Sequence, residues 1–194
     1  MTRIAAVLVR QHMAQAAPPG VDPGDFLEAV AEDTYEIVAG LELVTPVLIT
    51  SVPGLDDLVW PGTEVIAIAE DEPLKDVLTR LDADQAAVVC ADAPDLPPLL
   101  IGKLFRELGR AEITICPAEN GGAVALACAL PAPAWADPDL DAYDVVKELR
   151  AQAPGPRRVA TTPGWHRLRT PQDVGRLDPG LEGWDNTRAL VRAR

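Results

Sequence analysis

The run Ala86-Ala87-Val88-Val89-Cys90-Ala91 carries no charged or hydrogen-bonding polar side chain, the pattern of a strand buried on both faces. Such strands belong to parallel sheets covered by helices on either side. Ile4-Ala5-Ala6-Val7-Leu8-Val9 is a second run of this kind. Further strands are expected at 46–50, 63–69, 112–116 and 123–130, with a short one around 158–161. Helical spacing alternates with them. Asp22 or Asp25 can cap a helix that carries Phe26, Val30, Tyr35, Ile37 and Val38 and stops at Gly40. Other helices are expected at 55–58, 74–81, 98–108 and 142–152, the last begun by Asp139 or Asp141. Thr170-Pro171 opens another, and a final helix at about 183–193 is appended. The alternation predicts an α/β fold, a three-layer α/β/α sandwich with a mostly parallel central sheet.

A chain of 194 residues suits one domain over 1–194. No apolar run approaches the roughly 20 residues needed to span a bilayer, and residues 4–9 are too short for a secretory segment. The reading places the chain in the cytoplasm. Cys90, Cys116 and Cys128, an odd number at wide spacing inside apolar segments, read as buried small hydrophobes. The net charge of −13 repels a polyphosphate backbone and argues against nucleic acid as a partner. The charge is uneven. Residues 150–194 hold nine arginines against four acids, which leaves eight basic and twenty-six acidic residues in 1–149. A small anionic ligand suits this asymmetry better than a duplex, and a solvated basic surface is the plainer reading.

In open α/β sheets ligands sit outside the carboxyl ends of the strands, which directs attention to three segments. In Ala91-Asp92-Ala93-Pro94-Asp95-Leu96-Pro97 a carboxylate directly follows a buried strand. Asp92 could hold a metal bound to a diphosphate or cap the turn; Asp95 reads first as a cap. In Pro117-Ala118-Glu119-Asn120-Gly121-Gly122 paired glycines allow close backbone approach to a ligand, while Asn-Gly is also a strong hairpin signal. In Trp165-His166-Arg167-Leu168-Arg169-Thr170-Pro171-Gln172-Asp173-Val174 the two arginines flanking Leu168 point to one face of an extended segment, where they could grip a phosphate or simply face solvent. His166 is isolated in sequence and reads as a packing residue. No Walker A, Gly-x-Gly-x-x-Gly or Gly-x-Ser-x-Gly sequence is present.

These three segments, in this order, resemble landmarks of the DUF2064 family, part of the MobA-like (GT-A) nucleotide-diphospho-sugar transferase superfamily. The resemblance covers roughly residues 45–178. It implies a Rossmann-like GT-A sheet that binds a nucleotide or nucleotide sugar with Mg²⁺ or Mn²⁺ and transfers a glycosyl or nucleotidyl group to a small-molecule acceptor. It makes Asp92 the metal carboxylate and Glu119 a catalytic group. Asp95, Asn120, Gly121 and Gly122, with Arg167 and Arg169, become ligand-binding positions. Three departures stand out: Asn120 replaces an acid, the Lys-Thr-Arg loop after the first strand is missing, and Arg167 and Arg169 replace an Asp-Val-Asp pattern. Guanidinium has no lone pair for a metal, so the two arginines are expected to supply the lost phosphate-binding charge. The alternative is a non-catalytic binding or assembly protein on the same fold.

Overall fold

A computed structural model describes residues 1–192. Its seven strands, β1 (Arg3–Val9), β2 (Thr45–Thr50), β3 (Glu64–Ala67), β4 (Gln85–Cys90), β5 (Ile113–Pro117), β6 (Ala123–Ala129) and β7 (Val159–Thr161), form one sheet in the order β3-β2-β1-β4-β6-β5-β7. Val7 pairs with Leu48 on one side and Val89 on the other, both in parallel register. β6 alone runs antiparallel, between β4 and β5. Successive side chains of a strand point to opposite faces, and Ala5 to Val9 and Ala86 to Cys90 are all buried. Helices therefore cover both faces.

The helices are α1 (Pro23–Ala39), α2 (Leu74–Leu78), α3 (Pro98–Glu107), α4 (Val145–Gln152) and α5 (Asp185–Arg192). Asp22 is the cap that forms at α1, accepting from the N–H groups of Gly24 and Asp25 at 2.8 and 3.1 Å. α1 packs on β1 and β2, α3 covers β4 to β7, and α5 lies on α1. Residue 193, the last of the expected final helix, lies outside the described residues. No helix among the described residues is long and apolar enough to cross a membrane.

Four expected helices are cut short or tightened, and the one at 55–58 is a 3-10 turn over Asp56–Leu58. The 74–81 helix ends at Leu78 because Thr79, Arg80 and Leu81 donate to the third residue back, turning its end into a 3-10 coil. Residues 142–144 leave the 142–152 helix: Tyr143 O and Leu140 O accept from Gly122 N and Ala123 N, which ties this stretch to the β5–β6 hairpin. Pro171–Arg176 is a 3-10 turn held by the Asp173 carboxylate, which accepts from Thr170 N and Oγ1, both at 2.9 Å. Gln11–Ala16, directly after β1, forms another such turn. All three cysteines are free and buried. Burial pushes the Cys90 and Cys128 thiols up to about 12 and Cys116 to about 11, so they pack as small apolar groups.

Candidate functional site

The chain leaves β4 at Asp92, which is 2% exposed. Its backbone oxygen accepts from Leu168 N at 2.7 Å, and this contact lays the segment 165–169 across the carboxyl edge of the sheet. Arg167 and Arg169, on either side of Leu168, consequently turn the same way. Arg167 Nε donates to Asp92 Oδ1 at 2.8 Å, and Nη1 donates to Asp141 Oδ1 at 2.8 Å, Leu140 O at 3.1 Å and Ala123 O at 3.2 Å. Arg167 is 1% exposed. Burial alone would favour loss of its proton, but the Asp92 charge and hydrogen bond and the Asp141 charge outweigh that and hold it protonated.

Asp141 carries this charge centre outward. Its Oδ1 also accepts from Arg169 Nη2 at 3.2 Å, and its Oδ2 lies 3.3 Å from His12 Nε2. His12 Nδ1 is 2.6 Å from Glu70 Oε1. Glu70 further accepts from Ser51 Oγ at 2.5 Å and from the N–H groups of Gln11 and His12. The result is an unbroken series of acid, imidazole, acid, guanidinium and acid from Glu70 to Asp92. The Asp141 hydrogen bond raises the His12 pKa; burial works against it, and Glu70 adds to the rise. Burial pushes Glu70 up, but the Ser51, His12 and Gln11 hydrogen bonds win and bring it down to about 2. Burial also opposes Asp141 ionisation, yet His12 and Arg167 keep it well below the ordinary carboxylate range.

Beside this series a cleft of about 390 Å³ opens at the end of β1, between the loops around Glu70–Leu74 and Asp137–Asp141. Its wall carries Glu70, Asp71, Glu72, Asp137, Asp139 and Asp141 against Arg10 and His12. Arg10 is buried and spent on backbone: it donates to the carbonyls of Ala69, Glu70 and Glu72. Among the described residues no basic patch faces this cleft.

The remaining expected positions divide between packing and surface. Asp95 is buried and accepts from Trp165 Nε1 at 3.0 Å and Asp178 N at 3.1 Å; His166 Nε2 is 3.0 Å from the same carboxylate but out of line for a hydrogen bond. Asp95 fastens the C-terminal segment to the β4 end and is no helix cap. Asn120 Nδ2 donates to Arg167 O at 3.1 Å. Gly121 and Gly122 have φ of +92° and +80°, as a hairpin turn requires. They face the chain itself, since a Cβ on Gly121 would lie 2.4 Å from the Tyr143 ring and one on Gly122 2.5 Å from Leu140 O. Glu119 is 60% exposed, with Arg176 Nη1 at 3.5 Å, and does not line the cleft. Arg169, 28% exposed, donates to Gly121 O and Asp141 O, both at 3.1 Å.

Two expectations are corrected by this geometry. Arg167 cannot grip a phosphate, because it is enclosed and four oxygens already take its Nε and Nη1 protons. A divalent ion binds a carboxylate whose charge is free to balance it, and the Arg167 guanidinium, bonded to Asp92 Oδ1 at 2.8 Å, already supplies the positive charge there and repels a second cation. The residues do not fit a metal on Asp92. Among the described residues no group of three or more His, Cys, Asp or Glu side chains is arranged to hold a metal ion. The groups not singled out in the sequence, His12, Glu70 and Asp141, are the ones that reach the cleft. The only signal for them was position: each follows a strand or precedes a helix at the edge where ligands gather.

No family model matches the chain, and no curated protein matches its sequence. Solved structures do match its shape. A protein of Desulfovibrio desulfuricans assigned as a nucleotide-diphospho-sugar transferase is similar over 100% of this chain and 98% of its own, with 17% identity and a TM-score of 0.67. CMP:2-keto-3-deoxy-manno-octonic acid synthetase, solved with CTP, is similar over 100% and 99%, at 12% identity and a TM-score of 0.56. A Mycobacterium tuberculosis H37Rv protein, solved as a manganese complex, is similar over 99% and 98%, at 16% identity and 0.56. With its mixed seven-stranded sheet in this strand order, the chain has the nucleotide-diphospho-sugar transferase fold.

Proposed function

We propose that this chain is a nucleotide-dependent transferase, of the glycosyl or nucleotidyl type, that holds a nucleotide or nucleotide sugar in the cleft at the carboxyl end of β1. The observation that carries the reading is the meeting of that cleft with the ion series: a fold whose neighbours include a nucleotide-binding enzyme places a titratable imidazole and a carboxylate in the wall of its strand-end cavity. Carboxylates in such a wall accept from ribose or sugar hydroxyls and from base amines. They repel phosphate, so the phosphate end of the ligand points away from Glu70, Asp71 and Glu72 and toward the basic C-terminal segment. There Arg169 is anchored to the cleft through Asp141 and retains partial exposure. Arg169 stabilises charge on a departing phosphate, while protonated His12, bonded at both ring nitrogens, holds Glu70 and Asp141 in place in the cleft wall. Asp92 and Arg167 act as positioning residues for Asp141, and Glu119 is assigned no step.

A second reading, a non-catalytic binding or assembly protein, is favoured by two observations: the strand-end carboxylate is paired with Arg167, and the hairpin glycines are packed against their own chain. Thermal-shift measurement with a panel of nucleoside triphosphates and nucleotide sugars, with and without Mg²⁺ or Mn²⁺, tests ligand binding, because a selective ligand raises apparent stability. A rise with one nucleotide class that is lost in His12→Ala supports the site. Release of pyrophosphate or nucleoside diphosphate in the presence of an acceptor pool then separates enzyme from binder. No shift with any nucleotide overturns both nucleotide readings.

A further inference from the structure

Four oxygens from three stretches of chain meet at Arg167: Asp92 after β4, Ala123 at the start of β6, and Leu140 with Asp141 in the loop before α4. Two carboxylates and two carbonyls form an all-oxygen set, the donor chemistry that suits a hard cation. Their spacing, however, is that of hydrogen bonds. They lie 2.8 to 3.2 Å from two different nitrogens of one planar fork, whereas hard divalent ions bind oxygens at about 2.0 to 2.6 Å around one point. The acceptors are thus arranged for a guanidinium, which presents several donors in a fixed plane.

We infer that Arg167 is a resident cation: its guanidinium permanently occupies the charge centre between Asp92 and Asp141, so the carboxyl edge of the sheet works without a divalent ion at Asp92. The inference goes beyond the transferase reading and stands whether or not the cleft takes a nucleotide. A covalently attached cation cannot dissociate, exchange or be chelated, and it fixes Asp141, whose second oxygen faces His12. Arg169, on the outer side of Asp141, is the partly exposed member of the pair and leaves the inner charge undisturbed.

Two independent experiments decide the matter. The first follows the free Mn²⁺ electron paramagnetic resonance signal while the full-length chain and Asp92→Asn are titrated in parallel; Asp92→Asn keeps Arg167 paired with Asp141. Superimposable binding curves are expected. One additional Mn²⁺ equivalent in the parent chain overturns the inference. The second is chemical rescue of Arg167→Ala. Removing one partner of a buried pair lowers Tm by on the order of 10 °C in a domain of this size. Methylguanidinium at about 20 mM, far below denaturing concentrations, is expected to restore several degrees to Arg167→Ala and none to the parent chain or to Arg167→Lys. A folded Arg167→Ala that ignores methylguanidinium overturns the inference. If Arg167→Ala does not fold, the Mn²⁺ comparison decides alone.

Discussion

His12 is held at both ring nitrogens, by Glu70 from the loop after β3 and by Asp141 from the loop before α4. Its protonated form is the one that can donate to both carboxylates at once. The stability consequences have opposite signs on the two sides. A raised histidine pKa contributes stability that is complete below its unfolded value of 6.5 and is lost as pH rises through the folded value. The depressed carboxylates contribute stability that is complete above 4.5 for Glu70 and 3.8 for Asp141, and that is lost as pH falls toward about 2 for Glu70 and lower for Asp141. Tm against pH should therefore be flat between these limits and fall on both sides, and His12→Gln should remove the alkaline decline. A decline unchanged in His12→Gln would assign it to another group. Asp141→Asn should in turn lower the His12 pKa, read from its ring proton shifts by NMR. Part of this centre was legible in the sequence. Asp92, Arg167 and Arg169 stood out because they interrupt apolar or motif-like segments, whereas Asp141 read only as a helix start. His12 and Glu70 offered no signal beyond following a strand, since their contact joins positions 58 residues apart and depends on which strands become neighbours.

At the scale of elements, apolar runs located β1, β4 and β6, which are buried on both faces and leave no ambiguity of pattern, whereas the half-exposed β3 came out shorter than expected. Helix ends were harder to read. They depend on tertiary bonds such as Leu140 O and Tyr143 O accepting from the hairpin. That hairpin yields a graded test. At Gly121 an alanine meets the ring of Tyr143, which is 77% exposed and free to swing aside, so only the positive-φ strain of about 1 to 2 kcal/mol remains. At Gly122 the obstacle is the backbone oxygen of Leu140, and Gly122→Ala should cost about 3 kcal/mol or more by urea denaturation. Equal losses would mean that the hairpin yields as a whole. α5 provides a second case. Asp33 on α1 accepts from Asn186 N and Nδ2, both at 3.0 Å, and from Thr187 N at 2.8 Å, capping the last helix from another element. Burial pushes its pKa up despite the Thr187 and Asn186 bonds, so a neutral amide is tolerated better than a truncation. Asp33→Ala should lose about 2 kcal/mol and speed amide exchange over 185–192, with Asp33→Asn intermediate.

For the whole molecule, a net charge of −13, concentrated before residue 150, works against the compact state. Added NaCl largely screens exposed charges more than about 10 Å apart at 0.1 M, so Tm should rise by a few degrees between about 10 and about 200 mM salt. A fall would show that the exposed pairs, such as Lys75 with Asp137 and Arg158 with Glu112, outweigh the general repulsion. The pairing of Asp92 with residue 167 also ties the integrity of the middle strand to a segment 75 residues further along. A version of the chain ended before Arg167 buries an acid with no balancing charge, and it is expected to lack the cooperative thermal transition of the parent chain.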